Sequence, residues 1–322
     1  MPVTALISPD PAGIARATVL LRSGGTVAFP TETVYGLGAD AASDEAVAGI
    51  FKAKDRPRFN PLIVHVADRA AMDSLVEIPP YAAPFLALLP GPLSLVLPRR
   101  ANAQVSALVT AGLDTLAIRM PAHPVARALL AAFGGPLAAP SANPSGKVSA
   151  TTPAHVMAGL AGRIDAVLDG GGCAVGLEST IIGFDEQGWL LLRPGGVEVE
   201  VLEALSGQKM RHPLGAKISA PGQLASHYAP EAQIRLNAVA PAADEAWLGF
   251  GTDPDAVPEA RLNLSPSCDL THAAAALFGH LREIDALAQN AGLRRIAVAV
   301  IPETGLGLAI NDRLRRAAAP RP

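Results

Sequence analysis

Cysteine is scarce: the 322 residues include two, Cys173 and Cys268. Two thiols cannot build a disulfide framework or a four-cysteine zinc cage, and a reducing compartment, the cytoplasm, suits such a chain. Aromatic residues make up 4% of the chain although 50% of it is hydrophobic, so Ala, Leu and Val have to fill the core. Neither sign of charge dominates. The formal net charge is -3, with no acidic or basic tail, which excludes a nucleic-acid binder coated in positive charge and leaves room for a local basic site. A membrane span is also missing. The uncharged run Tyr81–Pro98 is broken by Pro84, Pro90, Gly91 and Pro92; it is expected to form two buried elements around a turn. Met1–Asp10 lacks the basic and apolar regions of a signal peptide, and no membrane partner is expected.

Several familiar motifs are absent too. Gly146-Lys147 is followed by Val148, and Ser141 stands where a phosphate loop would begin with glycine. Gly36-Leu-Gly-Ala-Asp-Ala41 fits G-x-G-x-x-A, but the region where a dinucleotide site needs an acid reads Lys54-Asp-Arg-Pro-Arg58. A glycine-rich turn between strand and helix is the expectation there. No G-x-S-x-G elbow occurs, and the seven histidines include no H-x-x-x-H pair, so no protein metal site is expected.

What is present reads as strands alternating with helices, an α/β pattern with a mixed sheet. Helices are expected at Pro9–Leu21 (capped by Asp10), after Ser43, at Pro124–Phe133 and at Pro153–Leu160. Strands are expected at Thr26–Phe29, Leu62–Val66, Thr115–Arg119, Leu137–Ala139, Ala166–Leu168, Thr180–Gly183 and Trp189–Leu192. Ser206–Pro230 is polar, rich in proline and glycine, and reads as a linker. Beyond it lie strands at Ala246–Gly249 and Arg295–Ile301 and a long amphipathic helix at Leu270–Asn290, suited to a small doubly wound domain.

Three stretches carry chemistry. Lys52-Ala-Lys54-Asp-Arg56-Pro-Arg58 packs four cations between a helix and a strand. It is either a solvated helix end favoured by the helix dipole or a binding place for phosphate. Ala139-Pro-Ser141-Ala-Asn143-Pro-Ser-Gly146 is either an ordinary turn or a loop that grips phosphate or a base. Pro30-Thr-Glu-Thr33-Val-Tyr35 follows a buried strand, a common ligand position in α/β sheets. Arg119 ends a strand and needs an anionic partner if buried, for which a substrate carboxylate would serve; His65 lies inside an apolar strand.

Together these segments resemble the YrdC-like threonylcarbamoyl-AMP synthase family in its long, two-domain form. The ordered matches are Phe29-Pro-Thr-Glu-Thr-Val-Tyr-Gly-Leu-Gly38, Lys54-Asp-Arg-Pro57, Asn60-Pro-Leu-Ile-Val-His65, Pro90-Gly-Pro-Leu93 and Ile118-Arg-Met-Pro121. They continue with Ser141-Ala-Asn143, Asp169-Gly-Gly171, Glu178-Ser-Thr-Ile181, Arg193-Pro-Gly195, His227-Tyr-Ala-Pro230, Pro302–Gly307 and Ala309–Leu314.

The resemblance implies an open, twisted mixed sheet with a deep groove in residues 1–205, a linker and lid in 206–235, and a smaller Rossmann-like α/β domain in 236–322. It places ATP against Lys54, Arg56, Asn60, Thr115, Ser141, Asn143, Ser149 and Arg193, with Tyr228 closing over it. It places L-threonine near Thr33, His65, Arg119, Ala139 and Ser179. Bicarbonate or CO2 is the third substrate, and Mg2+ rides on the ATP phosphates rather than on the protein. No general base stands out. Threonylcarbamoyl-AMP would pass to proteins that transfer the group to tRNA, with a weak tRNA contact of its own compatible with a basic groove. Two rivals are a carbamoyl-adenylate-forming relative and an RNA-binding module. The tail Gly305-Leu-Gly307 reads as a structural turn.

Overall fold

The computed structural model describes residues 3–57, 60–186, 188–213 and 228–320. Arg58, His227 and most of the expected lid lie outside the described residues. The chain divides into two compact units. The first holds residues 3–145, 150–173 and 178–213 of those described, and the second holds 146–149, 174–177 and 228–320.

The first unit is built on a ten-stranded sheet. In chain order its elements are β1 (Ala5–Ile7), α1 (Pro11–Arg22), β2 (Val27–Phe29), β3 (Gly36–Asp40), α2 (Asp44–Lys54), β4 (Ile63–His65) and α3 (Arg69–Leu75). A 3-10 helix, Pro80–Leu88, leads to β5 (Leu93–Pro98), α4 (Ala107–Thr110), β6 (Thr115–Arg119), α5 (Pro124–Phe133), β7 (Leu137–Ala138) and α6 (Pro153–Leu160). Then come β8 (Ala166–Leu168), β9 (Thr180–Asp185), β10 (Gly188–Arg193) and α7 (Val199–Ser206). The sheet order is β1-β8-β2-β3-β7-β4-β6-β5-β9-β10. It is mixed: β4 and β6 run parallel, as do β5 and β9, while β2–β3 and β5–β6 are antiparallel.

Local chemistry explains the main elements. Asp10 caps α1 by accepting from the Gly13 amide, and Pro11 occupies the first turn, where its missing N–H costs nothing. Ser43 does the same for α2 through Ala46. Apolar residues of α1 and α5, including Ile14, Leu21, Leu129 and Leu130, pack with Val27, Phe29, Leu137 and Leu168 of the sheet. Burying such side chains contributes roughly 1.5–3 kcal/mol each.

The sequence reading needs correction at Gly36–Asp40. This stretch is not a turn between strand and helix but an interior strand, paired with β2 and β7. Its glycines have a packing reason: a Cβ on Gly38 would stand 2.7 Å from Cε1 of Phe29. The start of the expected linker is also ordered against the sheet, since Arg211 forms a bridge with Leu190 and its carbonyl accepts from the Leu191 amide at 2.7 Å.

The second unit holds a four-stranded parallel sheet in the order β11-β14-β12-β13. Its elements are β11 (Gln233–Ala238), β12 (Glu245–Gly249), β13 (Arg261–Asn263), α8 (Leu270–Asn290), β14 (Arg295–Ala299) and α9 (Leu306–Ala318). The strands β11 and β13 and the helix α9 are additions to what the sequence pattern predicts. Gly305-Leu-Gly307 is not a free turn; Gly305 caps α9 and the next two residues begin it. Glu245 is fully buried, and hydrogen bonds from Arg235 at 2.9 and 2.6 Å hold its pKa down to about 2, with Arg295 at 3.2 Å adding to the effect. Among the described residues no helix is long and apolar enough to cross a membrane.

Two glycines give opposite expectations. Gly195 is hemmed by backbone, with Glu178 O at 2.4 Å from an added Cβ, so Gly195→Ala should cost about 1–3 kcal/mol. Gly279, inside α8, has nothing within 4 Å of such a Cβ, so Gly279→Ala should stabilise by about 0.5–1 kcal/mol. Shifts of the urea midpoint in opposite directions check both.

Candidate active site

Most of the expected ligand residues fall into two groups in the first unit. One is centred on Lys54, the last residue of α2, which is 1% exposed. Its Nζ donates to the carbonyl of Ser141 at 2.6 Å and to the carbonyl of Asn143. The Ser145 amide returns a bond to the Lys54 carbonyl at 2.8 Å. The 141–145 loop is therefore laced to the end of α2, and a bridge from Gly36 to Ser141 ties it to β3. Burial, and secondarily the nearby Arg56 charge, push the Lys54 pKa well below its ordinary value. An anion placed here would reverse that penalty. Arg56 donates to the Pro61 carbonyl at 3.1 Å. Asn60 is 2% exposed, and its Oδ1 lacks a hydrogen-bond partner among the described residues.

The other group crosses five consecutive strands, β4, β6, β5, β9 and β10. His65 ends β4, and Arg119 is its register partner at the end of β6. Such neighbours on parallel strands share a face. Ser179 precedes β9, and its Oγ lies 2.8 Å from Ser94 Oγ of β5. Arg193, ending β10, donates from Nη2 to the Ser179 carbonyl at 2.8 Å. Thr33 joins the row through its hydroxyl, which accepts from Arg119 Nη1 at 2.8 Å. The anionic partner that Arg119 requires is present within the chain: Glu32 Oε1 stands 2.6 Å from Nη2. Ala139 is buried beside the row's far strand, its amide bonded to the Ile63 carbonyl at 2.9 Å.

Two of the predicted residues stand apart and one is differently engaged. Thr115 begins β6, four residues from Arg119 and so about 13 Å away along the strand. Ser149 is buried and belongs to the second unit. Tyr228 is also placed there, 1% exposed, stacked on Phe278 with centroids 5.3 Å apart and with the Arg313 guanidinium 5.6 Å from its ring. The sequence reading missed Glu32 and Ser94. A signal for Glu32 existed: an acid between two threonines directly after a buried strand.

His65 is buried, and its Nδ1 has no hydrogen-bond partner among the described residues. Burial, then repulsion from Arg119, lower its pKa to about 3. The imidazole is therefore neutral at physiological pH and offers hydrogen bonding without charge. Among the described residues, no group of three or more His, Cys, Asp or Glu side chains is placed to hold a metal ion.

Comparison with known proteins decides the family. Residues 19–195 match the Sua5/YciO/YrdC family model, described as telomere recombination, and residues 197–319 match the model of the threonylcarbamoyl-AMP synthase C-terminal domain. This chain belongs to the Sua5/YrdC family. Threonylcarbamoyl-AMP synthase of Bacillus subtilis is 40% identical to it over 99% of this chain and 96% of its own length. The Pyrococcus abyssi threonylcarbamoyl-AMP synthase is 39% identical over 95% and 94%. The crystal structure of P. abyssi Sua5 complexed with L-threonine superposes with a TM-score of 0.87 at 36% identity, covering 98% of this chain and 97% of that one. The Sua5/YrdC match confirms the α/β architecture expected from the sequence.

Two outcomes follow from the site. With a folded pKa of about 3 against roughly 6.5 unfolded, neutral His65 supports stability fully above pH 6.5, and that support is lost as the pH falls toward 3. Between pH 6.5 and 5, before carboxylates titrate, the wild type should lose about 1 kcal/mol per pH unit more than His65→Gln. Denaturant titrations across that range check it. Lys54→Met removes the ammonium donor from the Ser141 and Asn143 carbonyls and should cost about 1–3 kcal/mol, read as a lowered urea midpoint.

Proposed function

We propose that this chain joins L-threonine, bicarbonate or CO2, and ATP into L-threonylcarbamoyl-AMP, releasing pyrophosphate, as a step toward threonylcarbamoyl-adenosine in tRNA. The observation that carries the reading is the buried row His65–Arg119–Thr33–Ser179, in a family whose full-length relatives are named threonylcarbamoyl-AMP synthases.

On this reading threonine's carboxylate lies on Arg119, with Thr33 beside it, its hydroxyl near Ser179, and neutral His65 contributes a hydrogen bond; Ala139 lines the pocket. The phosphates lie against the Lys54 group, with Arg56, Asn60, Ser141, Asn143 and Arg193 as donors. Thr115 is proposed for the nucleoside end. Ser149 and Tyr228 remain proposed nucleotide residues. Residues 1–205 are read as the catalytic part, 206–235 as linker and 236–322 as the second domain.

The amine of threonine attacks the carbon of bicarbonate, forming the N–C bond of a carbamate and releasing water. A carbamate oxygen then attacks the α-phosphorus of ATP, and the bond to the pyrophosphate oxygen breaks. A donor set of Lys, Arg, Ser and Asn suits phosphate oxygens rather than a bare cation, so Mg2+ would arrive on the triphosphate and neutralise its charge. The protein's share is to position the reactants, neutralise developing charge and exclude water from the labile product. That product suits direct transfer to tRNA-modifying partners, and the cytoplasm is the proposed location.

Pyrophosphate release, assayed with threonine and bicarbonate omitted in turn, tests the reading. Release should require both, and Arg56→Ala should lower it at least roughly tenfold, the scale of one lost charge-assisted hydrogen bond. Turnover supported by carbamoyl phosphate instead would favour a carbamoyl-adenylate chemistry.

A further inference from the structure

We propose that Glu32 is a positioning residue, which holds the Arg119 guanidinium in the orientation that receives the carboxylate of threonine. The inference rests on the reading of the site given above.

Arg119 is 4% exposed, so its plane is set by protein bonds rather than by water. Three acceptors on two separate segments take one N–H each. Nε donates to the Gly91 carbonyl at 3.2 Å, Nη1 to Thr33 Oγ1 at 2.8 Å, and Nη2 to Glu32 Oε1 at 2.6 Å. A guanidinium has five N–H groups, so two remain, one on each terminal nitrogen. These are the donors left for an anionic ligand.

Glu32 is itself fixed. Its second oxygen, Oε2, accepts from the Ala122 amide at 3.0 Å, three residues beyond Arg119. The carboxylate thus clamps the end of β6 and the side chain that projects from it. Thr33, the next residue, is fixed by Thr31 Oγ1 at 2.8 Å, and Thr31 donates onward to the Val34 carbonyl at 2.6 Å.

Both energetic terms point the same way. A free arginine loses about 2 kcal/mol of rotamer entropy on being held, and a partner that holds it beforehand removes that cost from ligand binding. A guanidinium buried without a counter-charge is strongly destabilising; Glu32, 13% exposed, supplies one while the pocket is empty. Glutamate at this position therefore keeps the fork charged, planar and aimed. It need not touch the substrate.

The test uses the full-length enzyme and the variants Glu32→Gln and Glu32→Asp. KM for threonine and for ATP is measured by pyrophosphate release, and Kd for threonine and for threoninamide, which lacks the carboxylate, by calorimetry. In Glu32→Gln the threonine KM should rise at least about tenfold, with the ATP KM within about twofold of wild type. The preference for threonine over threoninamide should shrink in parallel, with partial return in Glu32→Asp. An unchanged threonine KM overturns the proposal. So does tighter threonine binding, which would mean that Glu32 competes with substrate. An equal rise in both KM values with a fall in Tm overturns it as well, because a merely structural ion pair gives that result. If Glu32→Gln does not fold, Glu32→Asp is judged by the same threonine-to-threoninamide ratio. A wild-type enzyme that neither binds threonine nor releases pyrophosphate would instead remove the functional reading, and this role with it.

Discussion

Burying positive charge is expensive, at several kcal/mol per ion even after relaxation, and the first unit does it at Lys54, Arg119 and Arg193. Much of the local architecture is the answer to that expense. Lys54 collects the carbonyls of Ser141 and Asn143, Arg193 collects that of Ser179, and Arg119 collects Gly91, Thr33 and Glu32. Each cation draws in loops that are far apart in sequence and have no helix or strand geometry of their own to fix them. The pocket is therefore shaped by where the charges are buried, and the strands serve to bring those charges within reach of one another. A cluster arranged this way already presents what anionic ligands require: donors that have shed their water before the ligand arrives.

The legibility of the sequence follows the same division between local and distant causes. Helices α1 and α2 were readable because Asp10 and Ser43 cap amides three residues away and Pro11 fits the first turn. The strands β4 and β6 were readable as short apolar runs between breakers. Strand β3 was not, because Gly36 and Gly38 have the composition of a turn, and only the position of the Phe29 ring explains them. Strands β11 and β13 are mostly half-exposed and carry little alternation. Helix α9 escaped notice because part of its buried face is Asn311 and Arg313; Asn311 spends its amide on the Ile301 carbonyl at 2.9 Å.

The candidate site divides similarly. Residue types flagged the 52–58 cluster and Arg119, and the family resemblance added Arg193. They did not give the pairings. Arg119 and Glu32 are 87 positions apart, and Lys54 and Asn143 are 89 apart. No periodicity spans such distances; the β4–β6 register and the β3–β7 pairing create them. The countercharge of Arg119 within the chain, Glu32, was visible in the sequence, but its place beside Arg119 was not.

The second unit takes in two short segments from earlier in the chain. Residues 146–149 and 174–177 pack with it. Arg282 of α8 donates to the Val148 carbonyl, the Ala229 amide reaches the Gly146 carbonyl at 3.3 Å, and Gly176 lies so close to α8 that a Cβ there would stand 2.4 Å from Ala275 Cα. The two family matches, by contrast, meet between residues 195 and 197. A seam drawn in sequence is thus not a seam in space. Recombining the C-terminal half of this chain with the N-terminal half of a relative would carry α8 into a new protein without the segments fitted to it. Successful chimeras should be those in which both short segments travel with the helix, and lineages that exchanged these halves should bear compensating changes at Val148, Gly176 and Arg282.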